Sequence, residues 1–328
     1  MTKIKKLAAF FLAFVLLLSF CGCSAKDEGG ILTEDGSLHR PDPVIRFGSF
    51  PIHFDYYRYL YLSQRDQLMG ENEDFFETYP KMEQHLKDSV FRYCRYLAGF
   101  YALLSEYDVF LTSDEQDLVD DRIQTIKEGY ESDGGNFEKT LKEIYLTEEL
   151  YRKLIEEEEL ETKLQNTLFL NTGAPFYQTD DQVADYVIKS FCRARHIYCE
   201  KEEDAQKALD ALQKGESFGA VLAEYNEDAT MEDLTDGRYF FFGSHEVSYD
   251  RAAFDLKAGE YSNIVSCSDG YYIIYRMEME ETLIRADISN FRNMVYSALY
   301  DKLLEEAVAE ITPVCCALYD SITPKTLR

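Results

Sequence analysis

The chain is predicted to be an α+β protein in which a small sheet-and-helix unit is inserted into an all-helical body. Three observations predict it. Apolar residues recur at three- and four-residue spacing between Pro51 and Leu170, the period of helices with one buried face. The pattern breaks at Asn171-Thr172-Gly173-Ala174-Pro175 and then reads strand, helix, short helix, aromatic loop and two late strands. A last amphipathic stretch, about Leu283 to Ile311, places Phe291, Met294, Val295, Ala298, Leu299, Leu303, Ala307, Val308 and Ile311 on one face. One helix cannot bury such a stripe alone, so its natural partner is the N-terminal helical part. The expected organisation is a leader at 1–22, a flexible tether at 23–45, a helical domain at 46–175, a sheet-and-helix domain at 176–282, and a C-terminal helix at 283–328 packing on the helical domain.

Lys3, Lys5 and Lys6 precede an uncharged run from Leu7 to Phe20. That run is short for a membrane span and suits a secretory signal. In Phe20-Cys21-Gly22-Cys23-Ser24 the glycine before Cys23 resembles a bacterial lipobox, cut ahead of a cysteine that becomes lipid-modified. Cys23 is preferred over Cys21, because Phe20 is bulky for the residue before a cleavage site; an ordinary signal cleavage nearby is the alternative. A lipid at Cys23 implies attachment to the extracytoplasmic face of the cell membrane by acyl chains. Gly29, Gly30, Gly36, Pro41 and Pro43 among charged residues read as the tether.

With 328 residues and 46% apolar composition the chain can bury two cores. A net charge of −27 argues against a nucleic-acid partner, whose phosphates need a basic footprint. It favours cationic unfolded polypeptide, although a solvated surface would also be acidic. Beyond Cys23 the cysteines are Cys94, Cys192, Cys199, Cys267, Cys315 and Cys316. Their spacing suits no zinc motif; if an exported chain formed one disulfide here, Cys199 with Cys267 is the pair to test first. His39, His53 and His85 lie far apart with no ligand spacing, so no metal is expected, and no phosphate loop or G-x-S-x-G run occurs.

In order, a tyrosine-rich helix is expected over His53 to Leu68, with Tyr56, Tyr57, Tyr59 and Tyr61 about half in the core or, alternatively, forming a sticky surface for unfolded chains. Met82 to Phe110 is a second helix. Thr112-Ser113-Asp114-Glu115-Gln116 holds two overlapping capping boxes, Thr112 with Glu115 and Ser113 with Gln116, opening a helix to about Tyr130. Asp133-Gly134-Gly135-Asn136 ends it. Helices follow at Phe137 to Leu146 and Thr147 to Leu170, the latter carrying Glu156 to Glu159 as a solvated face. Thr179 caps a short helix from Asp180 to Ser190.

The segment from Ala194 to Glu278 carries the chemistry. It opens on Ala194-Arg195-His196-Ile197, continues through Ala252-Ala253-Phe254-Asp255-Leu256-Lys257-Ala258-Gly259-Glu260, and closes on Asp269-Gly270-Tyr271-Tyr272-Ile273-Ile274. These runs resemble a parvulin-type (PpiC, rotamase) peptidyl-prolyl isomerase domain, and the insertion in a helical body is similar to extracytoplasmic foldase lipoproteins of the PrsA type and to periplasmic SurA. The resemblance implies an antiparallel four-stranded sheet flanked by helices within a chaperone-like domain. It also implies catalytic places for His196, Asp228 and Tyr272, the last standing where the family has a second histidine. The family's M-V-P-x-F run corresponds to His245-Glu246-Val247-Ser248-Tyr249, and its G-G-D-L-G-W-F loop to Asp236-Gly237-Arg238-Tyr239-Phe240-Phe241-Phe242-Gly243. Substrate contact is thereby implied for His245, Tyr249, Phe242 and Phe254.

Turning an X-Pro bond must cross a barrier of about 20 kcal/mol set by amide resonance, and needs neither nucleophile nor cofactor. An apolar cup and a polar floor that bind the twisted amide better than the planar forms suffice. Tyr272 removes the histidine pair, though its hydroxyl could reach His196; His245 and Tyr249 make the cup more polar. Two readings stay open: a membrane-anchored foldase that isomerises X-Pro bonds in exported proteins, and a degenerate holdase that grips unfolded chains without turnover.

Overall fold

The computed structural model describes residues 29–232 and 235–328; the leader and Cys23 lie outside the described residues. The chain divides into two compact units. One runs to Tyr177 and resumes from Tyr300 to Arg328, and the other is Gln178–Leu299.

The first unit opens on a hairpin of β1 (Ile31–Leu32) and β2 (Leu38–His39), then β3 (Ile45–Phe47) and β4 (Phe50–Ile52). The segment from residue 29 onward is therefore not the tether expected over 23–45. Ile31, Val44 and Ile45 are fully buried, Leu32 N donates to Thr326 O at 2.8 Å, and Arg328 N donates to Gly30 O at 2.9 Å. A late strand, β9 (Pro313–Cys315), completes an antiparallel sheet of order β4-β3-β9. The glycines that suggested a tether serve an ordered segment instead: Gly36 adopts a φ of 81° between β1 and β2, and a Cβ at Gly29 would lie 2.3 Å from Arg328 O. Their partner is the far end of the chain, which local composition cannot reveal.

Six helices follow: α1 (Phe54–Met69), α2 (Phe75–Thr78), α3 (Lys81–Glu106), α4 (Ser113–Ser132), α5 (Phe137–Glu143) and α6 (Glu148–Phe169). Of the two overlapping boxes, Thr112 with Glu115 is the one that forms. Glu115 N donates to Thr112 Oγ1 at 3.3 Å and Thr112 N to Glu115 Oε2 at 2.8 Å. Thr147 caps α6 by accepting from Leu150 N. All four tyrosines of α1 are buried, more than the expected half, because the C-terminal segment covers the helix: Tyr57 packs edge-on against Tyr319.

The run Glu156 to Glu159 is not a uniform solvated face. Glu157 is buried and accepts from Tyr56 Oη at 2.6 Å and Tyr101 Oη at 2.7 Å. Burial raises its carboxyl above the usual range, against those two hydrogen bonds. Four consecutive glutamates sweep most of a helix circumference, so one of them must point at whatever α6 packs on.

The second unit is α7 (Asp180–Ser190), β5 (Phe191–Cys199), α8 (Glu202–Gln213), α9 (Phe218–Tyr225), α10 (Ala229–Glu232), β6 (Arg238–Phe241), α11 (Val247–Asp255), β7 (Val265–Ser266), β8 (Tyr271–Arg276), α12 (Glu281–Ala286) and the first part of α13 (Ile288–Ala307). Its four strands form an antiparallel sheet of order β6-β5-β8-β7. Alternation along β5 sends Ile197 and Cys199 to one face, where Ile273 and the α8 and α9 residues Ala208, Leu212 and Val221 close a core. Cys192 and Ala194 go to the other, with Phe240, Tyr249, Ala253 and Ile274.

The stripe expected to pack as one face on the helical part divides. Phe291 and Val295 join Val183, Val187, Phe191 and Ile284 in the core of the second unit, whereas Val308 joins the core of the first. There, a Cβ added to Gly99 would lie 2.4 Å from Leu304 O, so glycine is what lets α3 approach α13. Periodicity fixes which face of a helix is buried but not against what.

Cys199 and Cys267 do not pair; all six cysteines among the described residues are free thiols. They belong to cores on opposite faces of the sheet. Cys199 Sγ donates to Tyr225 O at 3.5 Å, and Cys267 Sγ lies 3.3 Å from Ser248 Oγ.

Glu157→Ala leaves two tyrosine hydroxyls without their acceptor and is expected to destabilise the protein by about 2 to 4 kcal/mol in denaturant titration. Adding Tyr101→Phe is expected to recover part of that loss.

Candidate functional site

The site grows from the middle of β5. Its partners on both edges, β6 and β8, set His196 opposite Ile274 and Tyr198 opposite Tyr272, so His196 shares the face of Cys192 and Ala194. The side chain is 7% exposed and makes two hydrogen bonds: Nδ1 lies 2.9 Å from Tyr249 Oη on α11, and Nε2 lies 3.1 Å from Asp228 Oδ2.

Asp228 is brought there by a loop stitched to the end of β5. Tyr198 N donates to Asn226 Oδ1 at 3.0 Å, Asn226 Nδ2 to Asp228 O at 2.7 Å, and Glu227 N to Tyr198 O at 2.9 Å. Asp228 Oδ1 then accepts from Thr230 N at 2.8 Å and from Thr230 Oγ1 at 2.5 Å. Asn226 and Thr230 were not singled out in the sequence. The signal was present in their spacing, since Asn and Asp bond backbone groups two residues on.

Electrostatics select one tautomer. Burial lowers the His196 pKa to about 4, against the opposing pull of Asp228. Burial acts to raise the Asp228 carboxyl, but hydrogen bonds from Thr230 and His196 outweigh it and leave it below the usual range. Burial pushes the Tyr249 phenol well up. At neutral pH the carboxylate can only accept, so the His196 proton sits on Nε2 and donates to Asp228, while Tyr249 Oη donates to Nδ1.

The aromatic residues continue from there. Tyr272 meets His196 edge-on at 5.1 Å between ring centroids and Tyr249 at 5.3 Å. Its hydroxyl does not reach for His196 but donates to Asp269 Oδ2 at 2.7 Å. His245 packs on Tyr249 and Phe240, each at 4.6 Å, and its Nδ1 lies 2.9 Å from Asp250 Oδ1. Asp250 is fully buried and also accepts from Gly243 N and His245 N, fixing the loop before α11. Phe254 touches Phe240 at 6.0 Å and Phe242 at 5.6 Å. All seven residues predicted for the site thus form one contiguous cluster, with Phe242 at its rim, 53% exposed.

Two further residues shape the β6 side. Gly237 turns the chain into β6 with a φ of 69°, and a Cβ there would lie 2.5 Å from Met277 Sδ. Arg193, 2% exposed, holds that turn by donating from Nε to Asp236 O at 2.6 Å and from Nη1 to Glu280 Oε1 at 2.7 Å. Among the described residues, no group of three or more His, Cys, Asp or Glu side chains is placed to hold a metal.

Sheet order, flanking helices and the His196 cluster define a parvulin-type domain, and residues 198–278 match the family model of the PPIC-type PPIASE domain. The match begins two residues beyond His196, whose place rests on β5 itself. The chain is PrsA-like: it is 28% identical over 218 residues to the foldase protein PrsA of Oceanobacillus iheyensis, covering 66% of this chain and 69% of that protein. It is 27% identical over 195 residues to that of Caldanaerobacter subterraneus, covering 54% of this chain and 62% of the relative. The crystal structure of peptidylprolyl isomerase (PrsA) from Bacillus anthracis aligns with 21% identity and a TM-score of 0.35, covering 65% of this chain and 94% of that one.

The depressed His196 pKa has a signed consequence. Between about pH 6.5 and pH 4 the unfolded chain binds a proton at this position that the folded site refuses, so stability is full above that window and lost as pH falls through it. The window is worth about 3 kcal/mol. Denaturant titrations at pH 7 and pH 4.5 are expected to show His196→Asn losing less stability on acidification than the wild type.

Proposed function

We propose that this protein is an extracytoplasmic foldase, anchored by a lipid on Cys23, whose Gln178–Leu299 unit isomerises X-Pro bonds in exported polypeptides. The observation that carries the reading is the convergence of His196, Asp228 and Tyr249 on one hydrogen-bonded line beside an aromatic run. The proline ring would sit against Phe242, Phe254 and Tyr249. The carbonyl of the preceding residue would face the His196 and Asp228 side, where a fixed proton on Nε2 and a fixed carboxylate respond to its rotation. Binding the twisted amide better than either planar form lowers the barrier with no covalent step. The relatives named above as foldases support this assignment. No helix among the described residues is long and apolar enough to cross a membrane, so the anchor in this reading is the lipid.

A second reading, a holdase without turnover, is favoured by two contacts. The Tyr272 hydroxyl is committed to Asp269, and His245 to Asp250, so neither bonds His196, whose two ring nitrogens are held by Tyr249 and Asp228. The two readings separate in a proline-peptide isomerisation assay with the soluble chain. Acceleration over buffer that falls about tenfold or more in His196→Ala, or about 1.4 kcal/mol of transition-state binding, is expected for the foldase. A wild-type rate no faster than buffer, with client aggregation still suppressed, would leave the holdase.

A further inference from the structure

In a strongly acidic chain, a cation stands at the edge of this cluster with no counter-ion among the described residues. Arg238, the first residue of β6, is exposed, and its Nη2 donates to Thr230 Oγ1 and, at 3.4 Å, to Thr230 O. Both acceptors are neutral. Among the described residues no carboxylate forms an ion pair with it, and its remaining guanidinium donors carry no bond. Asp228, the carboxylate that shares Thr230 with Arg238, is itself occupied by Thr230 and His196.

The placement is specific. Thr230 Oγ1 lies 2.5 Å from Asp228 Oδ1, and Asp228 Oδ2 lies 3.1 Å from His196. The positive charge of Arg238 is felt at both His196 and Tyr249, where it opposes protonation of the first and favours ionisation of the second. Through Thr230 it lies on the Asp228 side of His196, the side assigned above to the carbonyl of the residue before proline. Gly237 and the buried Arg193 fix the turn from which it projects.

We propose that Arg238 is a specificity residue, and that the site prefers clients with an acidic residue, Asp or Glu, immediately before the proline. This rests on the isomerase-site reading of His196 and deepens it. A guanidinium with free donors offers a carboxylate a bidentate partner. The net acidity of the chain governs encounter with cationic clients as a whole, while Arg238 acts on the one side chain that reaches it.

The test uses the soluble chain and labelled peptides differing only in the residue before proline, Glu-Pro, Ala-Pro and Lys-Pro, with affinities measured by fluorescence anisotropy. Glu-Pro is expected to bind about fivefold more tightly than Lys-Pro, the size of a partly exposed ion pair. Arg238→Glu should reverse the order and Arg238→Lys should keep it. If the charge-reversed variant does not fold, the wild-type ratio decides instead: it should fall toward one when salt is raised from about 0.05 M to about 1 M. Ala-Pro binding with no difference between Glu-Pro and Lys-Pro, or a preference untouched by Arg238→Glu or by salt, overturns the role of Arg238 and leaves the site reading standing. Failure of all three peptides to bind overturns both.

Discussion

The geometry around His196 depends on β5 having a strand on each side. With β6 and β8 both paired to it, β5 can neither slip nor rotate without turning every side chain to the wrong face. That constraint buries His196 on the side of Tyr249 and Tyr272 and places Ile197 and Cys199 under α8 and α9. Burial then does the chemistry: an imidazole removed from water stays neutral, and a neutral imidazole between an ionised carboxylate and a phenol has one way to hold its proton. Order thus passes from the sheet register to a single tautomer.

The loop bearing Asp228 is held by the same strand. Because Asn226 and Glu227 bond the backbone of Tyr198, the carboxylate is positioned by β5 itself. On the other side Asp250, fully buried, gathers Gly243 and His245 so that the aromatic run from Tyr249 to Phe242 keeps its shape. Tyr272, Tyr249 and His245 therefore form a cluster in which each finds a polar partner, Asp269, His196 and Asp250 in turn. An unsatisfied hydroxyl in such a place would cost about 1 to 3 kcal/mol.

Much of this was legible in the sequence. Helix starts at Thr112, Thr147 and Thr179 follow from capping chemistry that acts over three residues, and the four-stranded unit follows from motifs contained in one segment. What was hidden depended on partners far away in the chain. Residues 29–45 looked like a tether because nothing local shows that Ile31 pairs near Leu327 or that Ile45 pairs with Cys315. Glu157 looked solvated because its tyrosine donors come from α1 and α3. The division of the α13 stripe between two cores, and the opposite faces of Cys199 and Cys267, likewise follow from tertiary pairing. Arg238 was visible only as part of a loop; that its bond goes to Thr230 and to no carboxylate among the described residues is a property of three dimensions.

The central claim is that His196 is a neutral imidazole with its proton on Nε2. It is tested most directly by a nitrogen NMR titration of the His196 ring in the intact soluble chain. Nδ1 without a proton and Nε2 with one, unchanged from pH 7.5 down to about pH 5, is the result expected. A ring that protonates near pH 6.5, or carries its proton on Nδ1, would contradict the account.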